Sequence, residues 1–262
     1  MTPDHGSIHW GWRSPGTVAE IILDRPAKLN ALTPTMLAQL EQACREINTT
    51  SAQLAVVRAE GDRAFSVGAD ITQFASLDGI AMWRSWVADG HRTFAALAHL
   101  RCPTMAVIDG PAFGGGFELA LACDLRLAST AAIFALPEVG LGTVPGWAGT
   151  GRLPALVGGP RAKELIFTRR RLDAQTALSW GVVNAVAEPG QLQPTVQSWV
   201  DDILGSAPIA VALSKQLIDA SLAGAPIATV EAMASGLAAG TADLAEGIAA
   251  FQERRTPQFG GR

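Results

Sequence analysis

The stretch Thr104-Met105-Ala106-Val107-Ile108-Asp109-Gly110-Pro111-Ala112-Phe113-Gly114-Gly115-Gly116-Phe117-Glu118-Leu119-Ala120-Leu121-Ala122-Cys123-Asp124 decides the fold class. Its first five residues form an apolar run that predicts a short buried strand. Its alanine- and leucine-rich end predicts a helix. The three glycines then stand where a strand passes into a helix N-terminus. Free N–H groups and the positive end of the helix dipole favour negative charge there. Without Cβ atoms, the backbone can approach a ligand closely. Glu118 falls in the first helical turn and faces the same ligand. Three readings compete: a tight turn with a helix-start carboxylate, a nucleotide phosphate loop, or an oxyanion site for a carbonyl with a carboxylate for proton transfer. The phosphate loop fails on spacing, since neither G-x-x-x-x-G-K-[ST] nor G-x-G-x-x-G is present. The other two stay open on this stretch alone.

Upstream, Val18–Leu23 predicts a strand ending at the turn Asp24-Arg25-Pro26. Thr33-Pro34 opens a helix with Thr as N-cap and Pro at the first position. Met36, Leu37, Leu40, Cys44 and Ile47 share one face of it. Leu54–Ala59 is the next strand, and Gly61-Asp62-Arg63 turns the chain toward Phe65–Asp70. Ile80–Leu100 reads as a longer helix with Gly90 marking a bend; its Trp83, Trp86, Val87, Phe94 and Leu97 suit a core, with lining of an acyl chain as the alternative. Downstream, Leu125–Ala128 and Ile133–Ala135 predict short strands. Strand and helix thus alternate to about residue 190, which predicts an α/β fold with mainly parallel pairing. Segments near 191–204, 208–223, 226–240 and 242–254 all read helical. The division is a core over 1–190 and a helical C-terminal region over 191–262. Alanine-rich helices apolar on several sides suggest burial against a neighbouring subunit.

Composition narrows the function classes. The 262 residues are 48% hydrophobic and 17% charged, enough for one large core. A net charge of −4 with no basic block argues against nucleic-acid or anionic-membrane partners. Arg169-Arg170-Arg171 reads as a solvated loop. Met1–Gly16 is polar without a signal pattern, and no apolar run reaches membrane length. Cys44, Cys102 and Cys123 lack C-x-x-C spacing, so a reduced cytoplasmic protein is expected. His5, His9, His91 and His99 show no metal-ligand spacing, so no metal is expected.

Four ordered motifs carry a resemblance: Arg25-Pro26-Ala27-Lys28-Leu29-Asn30-Ala31-Leu32, Ala64-Phe65-Ser66-Val67-Gly68-Ala69-Asp70-Ile71, Asp109–Ala120, and Leu136–Gly146 followed by Gly149-Thr150-Gly151-Arg152-Leu153. With the closing Phe251–Phe259, the chain from about Thr17 onward resembles the crotonase superfamily, specifically enoyl-CoA hydratases and isomerases. That resemblance implies an α/β crotonase-like ββα spiral core with a helical C-terminal region, assembled as a homotrimer or a dimer of trimers.

It also implies the site. The N–H groups of Ala69 and Gly115 would hold a thioester oxygen as it gains enolate charge. Glu118 would handle the water at C3 and Glu138 the proton at C2. The pair stands twenty positions apart, as in hydratases. Lys28 would lie near the coenzyme A phosphates, with Leu29 and Ala31 in the same binding segment and the Val67 carbonyl near the adenine. Gly68, Asp70, Ile71 and Gly114 complete the binding set. Departures from the family pattern are Val67 for alanine, Trp147-Ala148 for small residues and Gly151 for glutamine. Trp147 either shapes the acyl pocket or packs in the core, and Phe117 adds bulk beside Glu118.

The expected activity is hydration of a trans-2-enoyl-CoA to a 3-hydroxyacyl-CoA in fatty acid metabolism, without metal or redox cofactor. Alternatives are a Δ3,Δ2-enoyl-CoA isomerase or another crotonase-type reaction and, less favoured, a non-catalytic acyl-CoA- or RNA-binding member. A hydrolase is poorly supported: G-x-S-x-G is absent, and Ser66 has no recognisable His partner.

Overall fold

In the computed structural model, which describes residues 6–262, the strands are Ser7–Ser14 (β1), Val18–Asp24 (β2), Leu54–Ala59 (β3), Thr104–Ile108 (β4), Pro111–Phe113 (β5), Leu125–Ser129 (β6), Ile133–Ala135 (β7), Leu172–Asp173 (β8) and Ala185–Ala187 (β9). His5, and with it the start of the 1–190 unit, lies outside the described residues. One sheet has the order β1-β2-β3-β4-β6-β9, parallel throughout except for the antiparallel β1–β2 pair. A small second sheet, β5-β7-β8, stands beside it. The parallel pairing expected from the alternating pattern is present, and β1 is an addition. Polar residues dilute its apolar signal, and an edge strand needs burial on one side only.

The interior strands are buried on both faces, as a parallel sheet between helices requires. Ala19, Ile21, Leu23, Ala55, Val57, Ala106 and Ile108 face the main core, where helix Pro34–Ile47 packs Met36, Leu37, Leu40, Cys44 and Ile47. Val18, Leu54, Val56, Met105, Val107 and Leu127 face the opposite way, onto Leu192, Val196 and Val200 of helix Pro189–Leu204. Each Val, Leu, Ile or Met among them stabilises by roughly 1.5–3 kcal/mol on burial. Thr33 caps the first long helix by accepting from Met36 N at 3.2 Å, with Pro34 at its first position.

Helices Pro189–Leu204, Pro208–Leu222, Ile227–Ala239 and Ala242–Glu253 close the chain. The second is tied down by Lys215, whose Nζ meets Asp124 Oδ2 at 2.7 Å and the Cys102 carbonyl at 3.2 Å. The third buries no residue, and Ile218, Leu222, Met233, Leu237 and Phe251 are exposed. Among the described residues, no single helix is long and apolar enough to cross a membrane.

Candidate active site

Two backbone loops build the site's floor. Leu32 N donates to the Gly68 carbonyl at 2.7 Å, and Asp70 N donates to the Leu32 carbonyl at 2.9 Å. These bonds flank Ala69, so its own N–H points away from Leu32 in the parallel bridge. The second loop crosses immediately behind. Ser66 and Phe113 are bridged by Phe113 N donating to Ser66 O at 2.9 Å. At Gly68, φ is +92°, and a Cβ there would stand 2.8 Å from Gly115 N and 2.7 Å from the Phe113 carbonyl. Only glycine permits both that conformation and that approach. Ala69 N in turn lies 3.4 Å from where a Gly115 Cβ would be. The two N–H groups singled out in the sequence are therefore brought together.

The glycine run does not follow β4 directly, as the sequence suggested. Asp109-Gly110 turns the chain into β5, which pairs with β7, and Gly114 N donates to the Ala135 carbonyl at 2.9 Å. Helix Gly115–Leu121 starts from that small sheet. Three residues carry too little periodicity to register as a strand. Phe117 is a second correction: its ring lies in the core against Phe134, with centroids 5.2 Å apart, and adds no bulk to the pocket.

Glu118, buried in the first turn of that helix, points at the opening of helix Gly149–Val157. Its Oε1 accepts from Trp147 N at 2.8 Å and Gly149 N at 2.7 Å. Burial pushes its pKa up, while these two donors and the Arg152 charge oppose the rise. Glu138 opens the short 3-10 helix Glu138–Leu141 after β7. Its Oε1 lies 2.8 Å from where a Gly114 Cβ would stand, and its Oε2 is buried without a hydrogen-bond partner. Burial, reinforced by the charge of Glu118, raises its pKa from 4.5 to about 7. One carboxylate is thus held by donors and the other is free to exchange a proton near neutrality.

Both glutamates line one cavity of about 180 Å³. Val67, Ala69, Ile71, Gly114, Gly115 and Trp147 line it too. Gly68 lies just beneath. Lys28 is exposed at the end of the 3-10 turn Pro26–Lys28, away from the cavity wall. Leu29 and Ala31 lie alongside the Ala69 loop, which they meet through Val67 N donating to the Leu29 carbonyl at 3.1 Å. Asp70 pairs with Arg25 at 2.7 Å and caps helix Ile71–Phe74 through Thr72 N. Burial opposes ionisation of Asp70, but Thr72 and Arg25 outweigh it and hold the pKa below the usual carboxylate range. Ser66 Oγ donates to the Asn30 carbonyl at 2.8 Å, a structural role. Arg171, read as part of a solvated loop, is exposed yet lies over the Phe113 ring at 5.4 Å.

Several wall residues were not singled out for the site, namely Phe74, Met82, Leu141 and Val144, nor were Gly149 and Arg152, which act on Glu118 from outside the wall. Gly149 and Arg152 sat in a quoted motif, but no sequence signal tied either to Glu118. The long helix also differs from expectation. It is α-helical at Gly90, and its winding changes earlier, to π over Met82–Val87. That segment carries Trp86 to the cavity wall, a common use of π turns. Trp147 is both buried and pocket-lining, so its two readings coexist. Among the described residues, no group of three or more His, Cys, Asp or Glu could hold a metal ion.

A family model described as enoyl-CoA hydratase/isomerase matches residues 13–262. A short-chain-enoyl-CoA hydratase from Clostridium acetobutylicum is 40% identical, over 92% of this chain and 93% of that protein. A crotonyl-CoA hydratase from Syntrophomonas wolfei is 37% identical, over 92% and 94%. The crystal structure of an enoyl-CoA hydratase from Bacillus anthracis superposes with a TM-score of 0.92 at 34% identity, covering 97% of this chain and 99% of that one.

Proposed function

We propose, because the chain belongs to the enoyl-CoA hydratase/isomerase family and sets Glu118 and Glu138 on one cavity, that it is an enoyl-CoA hydratase. It adds water across a trans-2-enoyl-CoA to give a 3-hydroxyacyl-CoA. The thioester oxygen sits between the N–H groups of Ala69 and Gly115, the latter at the positive end of helix Gly115–Leu121. Ionised Glu118 takes a proton from water as its oxygen bonds to C3. The π electrons move onto the carbonyl oxygen as enolate, and protonated Glu138 delivers its proton to C2 as the carbonyl re-forms. The pair carries one proton before and after, so the reaction balances with substrate and water alone, and this reading calls for no metal or redox cofactor.

The observation that carries the reading is the contrast between the carboxylates. Glu118 is fixed by two N–H donors, while Glu138 keeps an unpartnered buried oxygen and a pKa of about 7. A double-bond isomerisation needs only one shuttling acid. Lys28 suits the coenzyme phosphates, and the left-handed Leu29 and Asn30 turn the Ala31 segment along the Val67 loop. The exposed apolar residues of the last three helices suit a homotrimer or a dimer of trimers, and the cysteine usage suits the cytoplasm. A place in fatty acid metabolism follows from the substrate class.

The test is a panel of trans-2-enoyl-CoA thioesters followed by loss of enoyl absorbance and by product mass. A water adduct is expected. A shifted double bond without added water would transfer the site to isomerisation.

A further inference from the structure

We propose that the Trp147 indole is the end wall of the acyl pocket and confines the site to short acyl groups. The proposal rests on the hydratase reading for which substrate atom sits where.

The ring is locked into a slot cut by two glycines. A Cβ at Gly115 would stand 2.4 Å from its Cζ3, and one at Gly90 would stand 2.0 Å from its Nε1. Nε1 donates to the Trp86 carbonyl at 3.2 Å. Phe94 packs edge-on against the ring at 5.4 Å, and Trp86 lies tilted against it at 5.4 Å. The ring is thus held on every side but the one that faces the cavity.

Its position along the substrate follows. The thioester carbon stands at Gly115 N–H and C3 at Glu118. The indole touches Gly115, and the same residue's N–H holds Glu118. A chain continuing inward beyond C3 meets the ring. Behind it, Arg152 donates to the carbonyls of Trp147 at 3.3 Å and Phe94 at 3.4 Å. Arg152 also lines a second, larger cavity with Leu121, Ala122, Leu156 and Ile218, under helix Pro208–Leu222. Leu121 and Ala122 lie one turn beyond Glu118, so Trp147, which lines the first space, and Arg152, which lines the second and donates to the Trp147 carbonyl, meet at the partition between them. Gly90 and Gly115 are what this partition requires of the chain around it.

Calorimetric binding of saturated acyl-CoAs from butyryl to decanoyl, to wild type, W147A and W147L, tests the wall without any turnover. Wild type should bind butyryl-CoA at least tenfold more tightly than decanoyl-CoA, the scale on which a pocket rejects excess methylenes. Both variants should raise the decanoyl-to-butyryl affinity ratio at least tenfold, W147A more than W147L. Equal or tighter decanoyl binding by wild type overturns the proposal, as does a folded variant with an unchanged ratio. Should W147A fail to fold, W147L and the wild-type series decide alone. A chain that hydrates no thioester would defeat the hydratase reading, while this binding series would still decide the wall.

Discussion

The backbone N–H of Gly149 donates to Glu118 Oε1 at 2.7 Å, and a Cβ on Gly149 would stand 2.8 Å from that same oxygen. Donor and close approach are therefore one requirement. Between the two donors, Ala148 adopts φ +77°, a left-handed conformation that costs a non-glycine residue roughly 1–2 kcal/mol. The turn accepts that strain and aims the Trp147 and Gly149 N–H groups at one oxygen. Gly149→Ala should displace the carboxylate and lower kcat for crotonyl-CoA hydration by about 10²-fold, the scale of a 1 Å misplacement. Thermal melting should show the variant folded; near-wild-type kcat in it would remove Glu118 from the reaction.

Removing one proton-transfer group while keeping its shape should cost about 10²–10⁴ in kcat. Glu118→Gln and Glu138→Gln should each show that loss in hydration. Glu118→Ala separates the chemistries: hydration should vanish, whereas retention of Δ3,Δ2-isomerisation at wild-type rate with no hydration in the parent would assign Glu138 as the single shuttle. Stopped-flow measurement on both substrate types reads the difference directly.

The reactive state carries one proton on the glutamate pair, so kcat/KM should be bell-shaped in pH. The limb on the alkaline side should fall near 7, where Glu138 loses its proton, and both limbs belong to the pair. Hydration takes up no net proton, so dehydration of the 3-hydroxyacyl-CoA should give the same profile. A profile flat from pH 5 to 9 would contradict this. Stability follows the same group. Glu138 is raised from 4.5 to about 7 on folding, so the folded state holds its proton where the unfolded chain has lost it. That contribution is complete below 4.5 and disappears as pH rises through 7. The melting temperature of wild type relative to Glu138→Gln should therefore decline across this window.

What could be read in the sequence was what repeats or caps. The face Met36-Leu37-Leu40-Cys44-Ile47, the Thr33 cap and the four closing helices all arise from local periodicity and end chemistry, and all are present. Glu118 and Glu138 announced themselves through ordered motifs, and both reach one cavity. Contacts fixed by distant segments left no such trace. β5 is stabilised by pairing with β7 rather than by its own three residues. Phe117 turns to Phe134 because the helix face opposite Glu118 is core. Gly90 reads as a bend in one dimension, while in three it is the space an indole needs.

That last relationship gives a stability prediction. A Cβ at Gly90 would lie 2.0 Å from Trp147 Nε1 and 2.2 Å from its Cδ1, within a helix that is otherwise regular. In a helix interior, Gly→Ala alone is favourable by roughly 0.5–1 kcal/mol. Forcing a methyl into a packed contact costs about 1–3 kcal/mol, and the ring is held by Gly115, Trp86 and Phe94 on its other sides, with only the acyl pocket left for it to shift into. Overpacking wins, so Gly90→Ala should destabilise wild type by about 1–2 kcal/mol in denaturant unfolding. In a Trp147→Ala background the clash is gone and only propensity remains, so the same substitution should become neutral or stabilising. The change of sign is a coupling between two residues in contact. Additive effects of the two substitutions would mean that Gly90 is not there for the indole.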